Sequence, residues 1–162
     1  RFEKLKAKLD TLTKLGLAVN VRHNRMVISL PGDVLFDSGH ETLKKDGKEI
    51  LLKVANIIKA DPQLVSRDYQ VAGDTDNQPM AHSPFKDNWG LSLMRAREVL
   101  VFLIDAKQGG GLPLQHWSAA GFGDTDPVAA NTTAEGRQKN RRCELIVLPS
   151  VEEMLDLKAI TQ

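Results

Sequence analysis

Two stretches of this chain, 41–60 and 89–106, are apolar along one stripe only. In the first, the stripe is Leu43, Gly47, Ile50, Leu51, Val54, Ile57 and Ile58, with Lys44, Lys45, Lys48, Glu49 and Lys53 largely outside it. In the second it is Ala96, Val99, Leu100 and Leu103. Apolar residues recurring at three and four positions predict helices that each bury a single side. Such helices need a layer to lie on. The runs Leu17–Val21, Arg25–Leu30, Tyr69–Ala72, Trp117–Phe122 and Arg142–Leu148 supply it as strands, the first two joined by the polar turn Arg22-His23-Asn24. The alternation of these elements predicts an α+β chain: a two-layer α/β sandwich, with a small mixed β-sheet and helices on one face.

Local signals set the boundaries. Asp61-Pro62 ends the first of the two helices. Gly47 inside it costs about 1 kcal/mol against Ala, which points to close approach of a neighbouring element. Pro31-Gly32-Asp33 interrupts the second strand, and Val34-Leu35-Phe36 resumes it. Residues 73–87 read as a long loop, Gly109-Gly110-Gly111 as a flexible connection and 123–138 as a polar segment. In the last strand Cys143, Leu145 and Val147 alternate with Arg142, Glu144 and Ile146. Ahead of the first strand, Leu5, Leu9, Leu12 and Leu15 predict an amphipathic N-terminal helix over residues 1–17, stopped at Gly16. It is either packed on its own domain or the end of a coiled coil arriving from upstream. Two heptads do not decide. Residues 18–149 then form the domain proper, and 150–162 a tail with a short amphipathic helix packed outside. A start at Arg1 suggests a piece of a longer protein.

A single domain of 162 residues buries roughly 68–70% of its unfolded surface, enough to fold without disulfides or a structural metal. The formal net charge of +1 gives no long-range attraction to nucleic acid or an anionic membrane. Cys143 is alone, so it has no intrachain partner for a disulfide. No run of eighteen apolar residues is present. The sequence has no G-x-S-x-G, no Ser-x-x-Lys and no reactive-cysteine context, so no enzyme activity, cofactor or metal is expected. The pair Asp74 and Asp76 with His82 invites an acid–base or metal reading, but no second His stands at a suitable spacing. Gly109–Gly111 follows no strand and precedes no Lys-Ser/Thr, so it is no phosphate cradle. Trp89 and Trp117 read as core or loop anchors rather than sugar-stacking platforms.

The richest chemistry lies between Val71 and Ala96. Asp76 sits in a Thr75-Asp76-Asn77 turn directly after an apolar strand. Arg95 lies nineteen positions on, inside the helix opened by Asn88-Trp89-Gly90-Leu91-Ser92. An acid and a base brought to one rim would hold a zwitterion, its amine on one side and its carboxylate on the other. Taken alone, the same pair equally makes a structural salt bridge.

Three blocks in order resemble one family: Leu35-Phe36-Asp37-Ser38-Gly39; Gly73-x-Thr75-Asp76-Asn77 with Asn88-x-x-Leu91-Ser92-x-x-Arg95-Ala96; and Gly121-Phe122-Gly123 through Asn131-Thr132, Glu135-Gly136-Arg137 and Asn140-Arg141-Arg142-x-Glu144. Together they resemble the OmpA-like peptidoglycan-binding domain over about residues 25–149. Asn77-Gln78-Pro79 and Phe85-x-x-Asn88-Trp89-x-Leu91-Ser92 place the chain nearest the MotB-like branch.

The resemblance implies non-catalytic binding of peptidoglycan through the diaminopimelate of its stem peptide. That would anchor a larger, membrane-attached envelope or motor protein in the periplasm. By motif position, Asp76 would meet an amino group of that residue and Arg95 its carboxylate. Asn88 and Thr75 would add hydrogen bonds, and Arg141 would close the pocket. Phe36, Asp37 and Ser38 would lend backbone and an apolar wall, with Leu91 beside them. Arg142 is assigned to pairing with Glu144, and Arg137 to fixing the preceding loop. The branch and the N-terminal heptad together imply a homodimer. The family usually has His where this chain has Asp74. Its carboxylate either enters the pocket, or points away and caps a turn. An alternative function is an interaction or oligomerisation domain of the same fold, with ligand binding lost through Asp74. Cys143 replaces the usual aliphatic residue as a small buried hydrophobe.

Overall fold

The computed structural model of the chain describes residues 3–80 and 83–155. Helix α1 (Glu3–Thr13) leads into the hairpin of β1 (Ala18–Arg22) and β2 (Arg25–Pro31), turned by His23 and Asn24 at positive φ. There follow α2 (Gly32–Leu35), α3 (Lys45–Ala60), α4 (Pro62–Val65), β3 (Tyr69–Asp74) and α5 (Asn88–Ile104). The strand β4 (Trp117–Gly121), the short α6 (Ala134–Asn140) and β5 (Arg142–Val147) complete the domain. The sheet order is β1-β2-β5-β3-β4, antiparallel except for the β3–β4 pair that α5 connects. The mixed sheet with helices packed on it is the architecture expected from the alternating pattern.

Register explains the layering. Val19, Ile28, Leu145, Val71 and Ala119 form one cross-strand row; the middle three are buried in the core under the helices, and Val19 and Ala119 at the edges are partly buried against it. Residues directly opposite in a ladder share a face, so this row points every strand's apolar set the same way. Onto it α3 lays Leu51, Val54, Ala55 and Ile58, and α5 lays Ala96, Val99 and Leu103. The last strand to be made, β5, is the central one, and all six of its residues are buried. Its other face carries Arg142, Glu144 and Ile146, the last packed with Val27 and Ala72. Cys143 is buried on the helix side, and burial pushes its thiol up to about 12.

Leu5, Leu9 and Leu12 of α1 are buried in this same core. A helical pair built through this stretch would therefore have to use its lysine-bearing face. Gly47 marks a close approach, as its helix position suggested: a Cβ there would lie 2.9 Å from the Leu35 Cα. Trp117 stacks on Tyr69 at 4.5 Å between ring centroids. At the tail, residues 151–155 are helical and Glu153 pairs with Arg67 at 2.6 Å; 156–162 lie outside the described residues.

Two local expectations are corrected. Val34-Leu35-Phe36 does not resume β2, because the neighbouring strand β5 begins at Arg142, opposite Pro31, and nothing further along remains to pair with. The chain instead makes the turn α2, and only Phe36 bridges to Leu43. The helix expected from 41 starts at Lys45, since Leu43 is taken up by that bridge. The polar segment 123–138 also contains the start of α6, opened by Thr133, whose side chain accepts from the Gly136 N–H.

Candidate functional site

Two glycines decide how α5 meets the sheet. Gly73 of β3 and Gly121 of β4 are partners in the parallel ladder, and the backbone of Ser92 and Leu93 presses on both. The carboxylate of Asp87 accepts from the Gly90 N–H and caps the helix start. This close seating carries Asn88, Leu91 and Arg95 to the exit of β3, where the chain turns through Thr75 and Asp76.

A cleft of about 330 Å³ opens there. It is lined by Ser38, Thr75, Asp76, Asn88, Leu91, Arg95 and Arg141, all expected from the sequence, together with Asp33, Gly39, Gln78 and Met80. Phe36 and Asp37 lie behind it rather than on its wall. The Arg95 guanidinium sits 4.9 Å from the centroid of the buried Phe36 ring, and the Asp37 carbonyl accepts from Arg95 Nη2 at 3.0 Å. The Asp37 side chain faces solvent near Lys44.

Arg95 and Asp76 do not bridge each other. Arg95 Nε donates to the His40 carbonyl at 2.9 Å, so two carbonyls and a ring fix the guanidinium plane. No hydrogen bond to a protein group engages Nη1 among the described residues. Burial draws this guanidinium below its usual value, with no deprotonation in reach. Across the cleft, Asp76 Oδ1 accepts from the Gln78 N–H at 2.9 Å and Oδ2 from Arg141 Nη1 at 2.8 Å. Thr75 Oγ1 donates to the Asp76 carbonyl, and Asn88 Nδ2 to the Gln78 carbonyl at 2.9 Å. Their donors thus shape the turn that holds the carboxylate. The result is a fixed cation and a fixed anion in one cleft, each held by groups other than its opposite.

Sequence reasoning missed Asp33, which stands 3.7 Å from Arg141 Nε. Its signal was the Pro31-Gly32 break read as an interrupted strand. Gly32 lets α2 begin against the Arg141 carbonyl, with its N–H donating at 2.9 Å, and this places Asp33 beside the guanidinium. Arg137 fixes its loop as expected, donating to the Asn131 carbonyl. Trp89 is 55% exposed but packs on Gly123, at the turn that receives the Thr75 N–H.

Asp74 points away from the cleft, since it pairs with Arg142 in the ladder and shares its face. It caps no turn, contrary to the second sequence reading. Its side chain is 1% exposed, neither oxygen has a hydrogen-bond partner among the described residues, and Oδ1 is 3.7 Å from Arg142 Nη2. Burial pushes its carboxyl up to about 7, against the partial pull of Arg142. A carboxyl raised in the folded state lends most stability below its unfolded value and loses it as pH rises through the folded one. Asp74→Asn is therefore expected to stabilise the domain at pH 8 by about 2–4 kcal/mol, with most of the gain gone by pH 4. Urea unfolding of both proteins across that range checks it; a gain that does not depend on pH would refute the assignment.

Among the described residues no group of three His, Cys, Asp or Glu side chains is arranged to hold a metal ion. His82, part of that sequence reading, lies outside the described residues.

Comparison with known proteins identifies the family. The OmpA family model matches residues 35–141, which include every cleft-lining residue named above except Asp33. Motility protein B of Bacillus subtilis is 36% identical over 148 residues, covering 91% of this chain and 51% of that protein. The chain spans about half the length of the curated relatives it matches. The cell wall anchor of the T6SS from Pseudomonas aeruginosa superposes with a TM-score of 0.70 at 33% identity, over 89% of this chain and 96% of that one. The periplasmic domain of Helicobacter pylori MotB gives a TM-score of 0.74 at 26% identity, over 88% and 95%. With two thirds of its length inside the family model and the same sheet beneath its cleft, this chain belongs to the OmpA family.

Proposed function

We propose that this domain binds peptidoglycan without catalysis, holding the diaminopimelate of a stem peptide in the cleft and anchoring a longer envelope protein to the wall from the periplasm. One observation carries the reading: Arg95 and Asp76 face one cleft, oppositely charged and not bonded to each other. The far end of diaminopimelate bears an amine and a carboxylate on one carbon. Its carboxylate suits the Arg95 Nη1 left over from the His40 and Asp37 carbonyls. Its amine suits the Asp76 carboxylate, with Arg141 and Asp33 adjusting around it. Asn88 Oδ1, whose amide nitrogen is engaged in the turn, is a further acceptor. Family membership and the likeness to a cell wall anchor support the choice of ligand. A homodimer is part of the same proposal, formed through surfaces other than the leucines of α1, which face the core.

Lysine-containing stem peptides provide the test, because lysine has the amine and lacks the carboxylate. Leaving Arg95 desolvated and unpaired forfeits a charge-assisted bond of about 1.5–3 kcal/mol, so the lysine muropeptide is expected to bind roughly 10- to 100-fold more weakly. Calorimetric titration with both muropeptides measures it. Equal affinities, or none for either, would sink the reading.

A further inference from the structure

On the face of the sheet opposite the helices, three carboxylates meet two guanidiniums. Arg142, 3% exposed at its side chain, donates from Nε to Glu144 Oε2 at 3.0 Å, from Nη1 to the Asn140 carbonyl at 3.2 Å and from Nη2 to the Asp126 carbonyl at 3.0 Å. Arg22 of β1 holds Asp126 Oδ1 at 2.6 Å, with His23 Nε2 3.5 Å from the same oxygen. Asp74 is the carboxylate left over. Its oxygens accept no hydrogen bond among the described residues, and Arg142 Nη2, which donates to the Asp126 carbonyl, stands 3.7 Å from Oδ1. The groups acting on it are Arg142 and Glu144 from β5, Asp126 from the loop after β4 and Arg22 from β1; it also acts on the Cys143 thiol of β5.

This cluster stands back to back with the cleft. Arg141 and Arg142 are consecutive at the start of β5, and Asp74 and Asp76 are two apart at the end of β3. Arg141 with Asp76 faces the cleft, while Arg142 with Asp74 faces the cluster. The backbone between the two couples is also held, since the Arg141 carbonyl accepts from the Gly32 N–H.

We infer that Asp74 is a proton-dependent positioning residue for the cleft: with its carboxyl protonated, Arg142 keeps its bonds to Asn140 and Asp126 and presents Arg141 to Asp76, and ionisation draws Arg142 toward Asp74 and displaces Arg141. The proton is exchanged with solvent through the partly exposed Asp126 side of the cluster. The support is geometric: Asp74 is buried opposite Arg142 in the ladder, one residue from Arg141, and does not itself line the cleft. The inference rests on the wall-binding reading.

Its test is the affinity for a diaminopimelate muropeptide between pH 6 and pH 8.5. Wild-type affinity is expected to fall about three- to tenfold with rising pH, tenfold corresponding to a one-unit pKa difference between free and bound protein. Asp74→Asn should hold the pH 6 affinity throughout. Histidines in general titrate over this range, so the slope must survive in His23→Gln and in His40→Gln. Binding with a flat wild-type profile, or a slope that persists in Asp74→Asn, overturns the positioning role of Asp74 alone. No binding at any pH overturns the wall-binding reading together with it.

Discussion

Replacing Arg95 by alanine is expected to weaken muropeptide binding about 100-fold or more, and Arg95→Lys nearly as much. Three directions of the guanidinium matter at once. Nε and Nη2 are tied to the His40 and Asp37 carbonyls, and the plane lies against Phe36, so Nη1 is aimed without conformational search. Lysine keeps the charge and the stem but offers a single nitrogen, which satisfies either the carbonyls or the ligand. That variant separates recognition from folding, because alanine also leaves two carbonyls of the 37–40 loop without their donor. Titration calorimetry at a temperature where circular dichroism shows the variant folded gives the readout. An affinity for Arg95→Lys within threefold of wild type would remove Arg95 from the site.

The second large effect is structural. Gly73→Ala is expected to lower stability by about 3 kcal/mol or more, a fall in Tm of roughly 10 °C, and to abolish binding with it. A Cβ on Gly73 would clash with the Ser92 carbonyl oxygen and come to 2.7 Å from its carbon, both backbone atoms of α5. No rotamer change relieves such a clash. The helix must lift, and on the far side Gly121, whose Cβ would meet the Leu93 nitrogen at 2.7 Å, permits no sideways escape. Lifting α5 carries Arg95 and Leu91 away from Asp76. Gly111→Ala is the contrast: φ is +64° but the nearest atoms are 3.9 Å away, so it is expected to cost only about 1–2 kcal/mol and to leave affinity unchanged. If Gly73→Ala melts and binds as wild type does, the seating of α5 is not what builds the cleft.

Much of this was legible in the sequence because it is periodic or local. The stripes of α3 and α5 and the alternation of Cys143, Leu145 and Val147 required a sheet with helices against one face. The Asp61-Pro62 stop, the Gly47 approach and the Arg142–Glu144 pair, two apart on a strand, all follow from backbone geometry over a few residues. Seven of the residues that line the cleft could be named because three short motifs carry them. Asp33 escaped, because whether Pro31-Gly32-Asp33 bends into a turn depends on where β5 begins, more than a hundred residues later.

The sequence by itself determined that Asp76 follows the end of one strand and Arg95 lies inside the next helix, and that the chain folds as a sheet under helices. Which charge each one meets was decided only by the tertiary structure. Asp76 takes Arg141 from a strand start 65 positions away, Arg95 takes two loop carbonyls 55 and 58 positions away, and Asp74 is turned to the opposite face beside Arg142. The physical reason is that a charge's partner is set by ladder register and by how closely two backbones approach. Both are properties of strands and helices brought together from distant parts of the chain, and no local spacing encodes them.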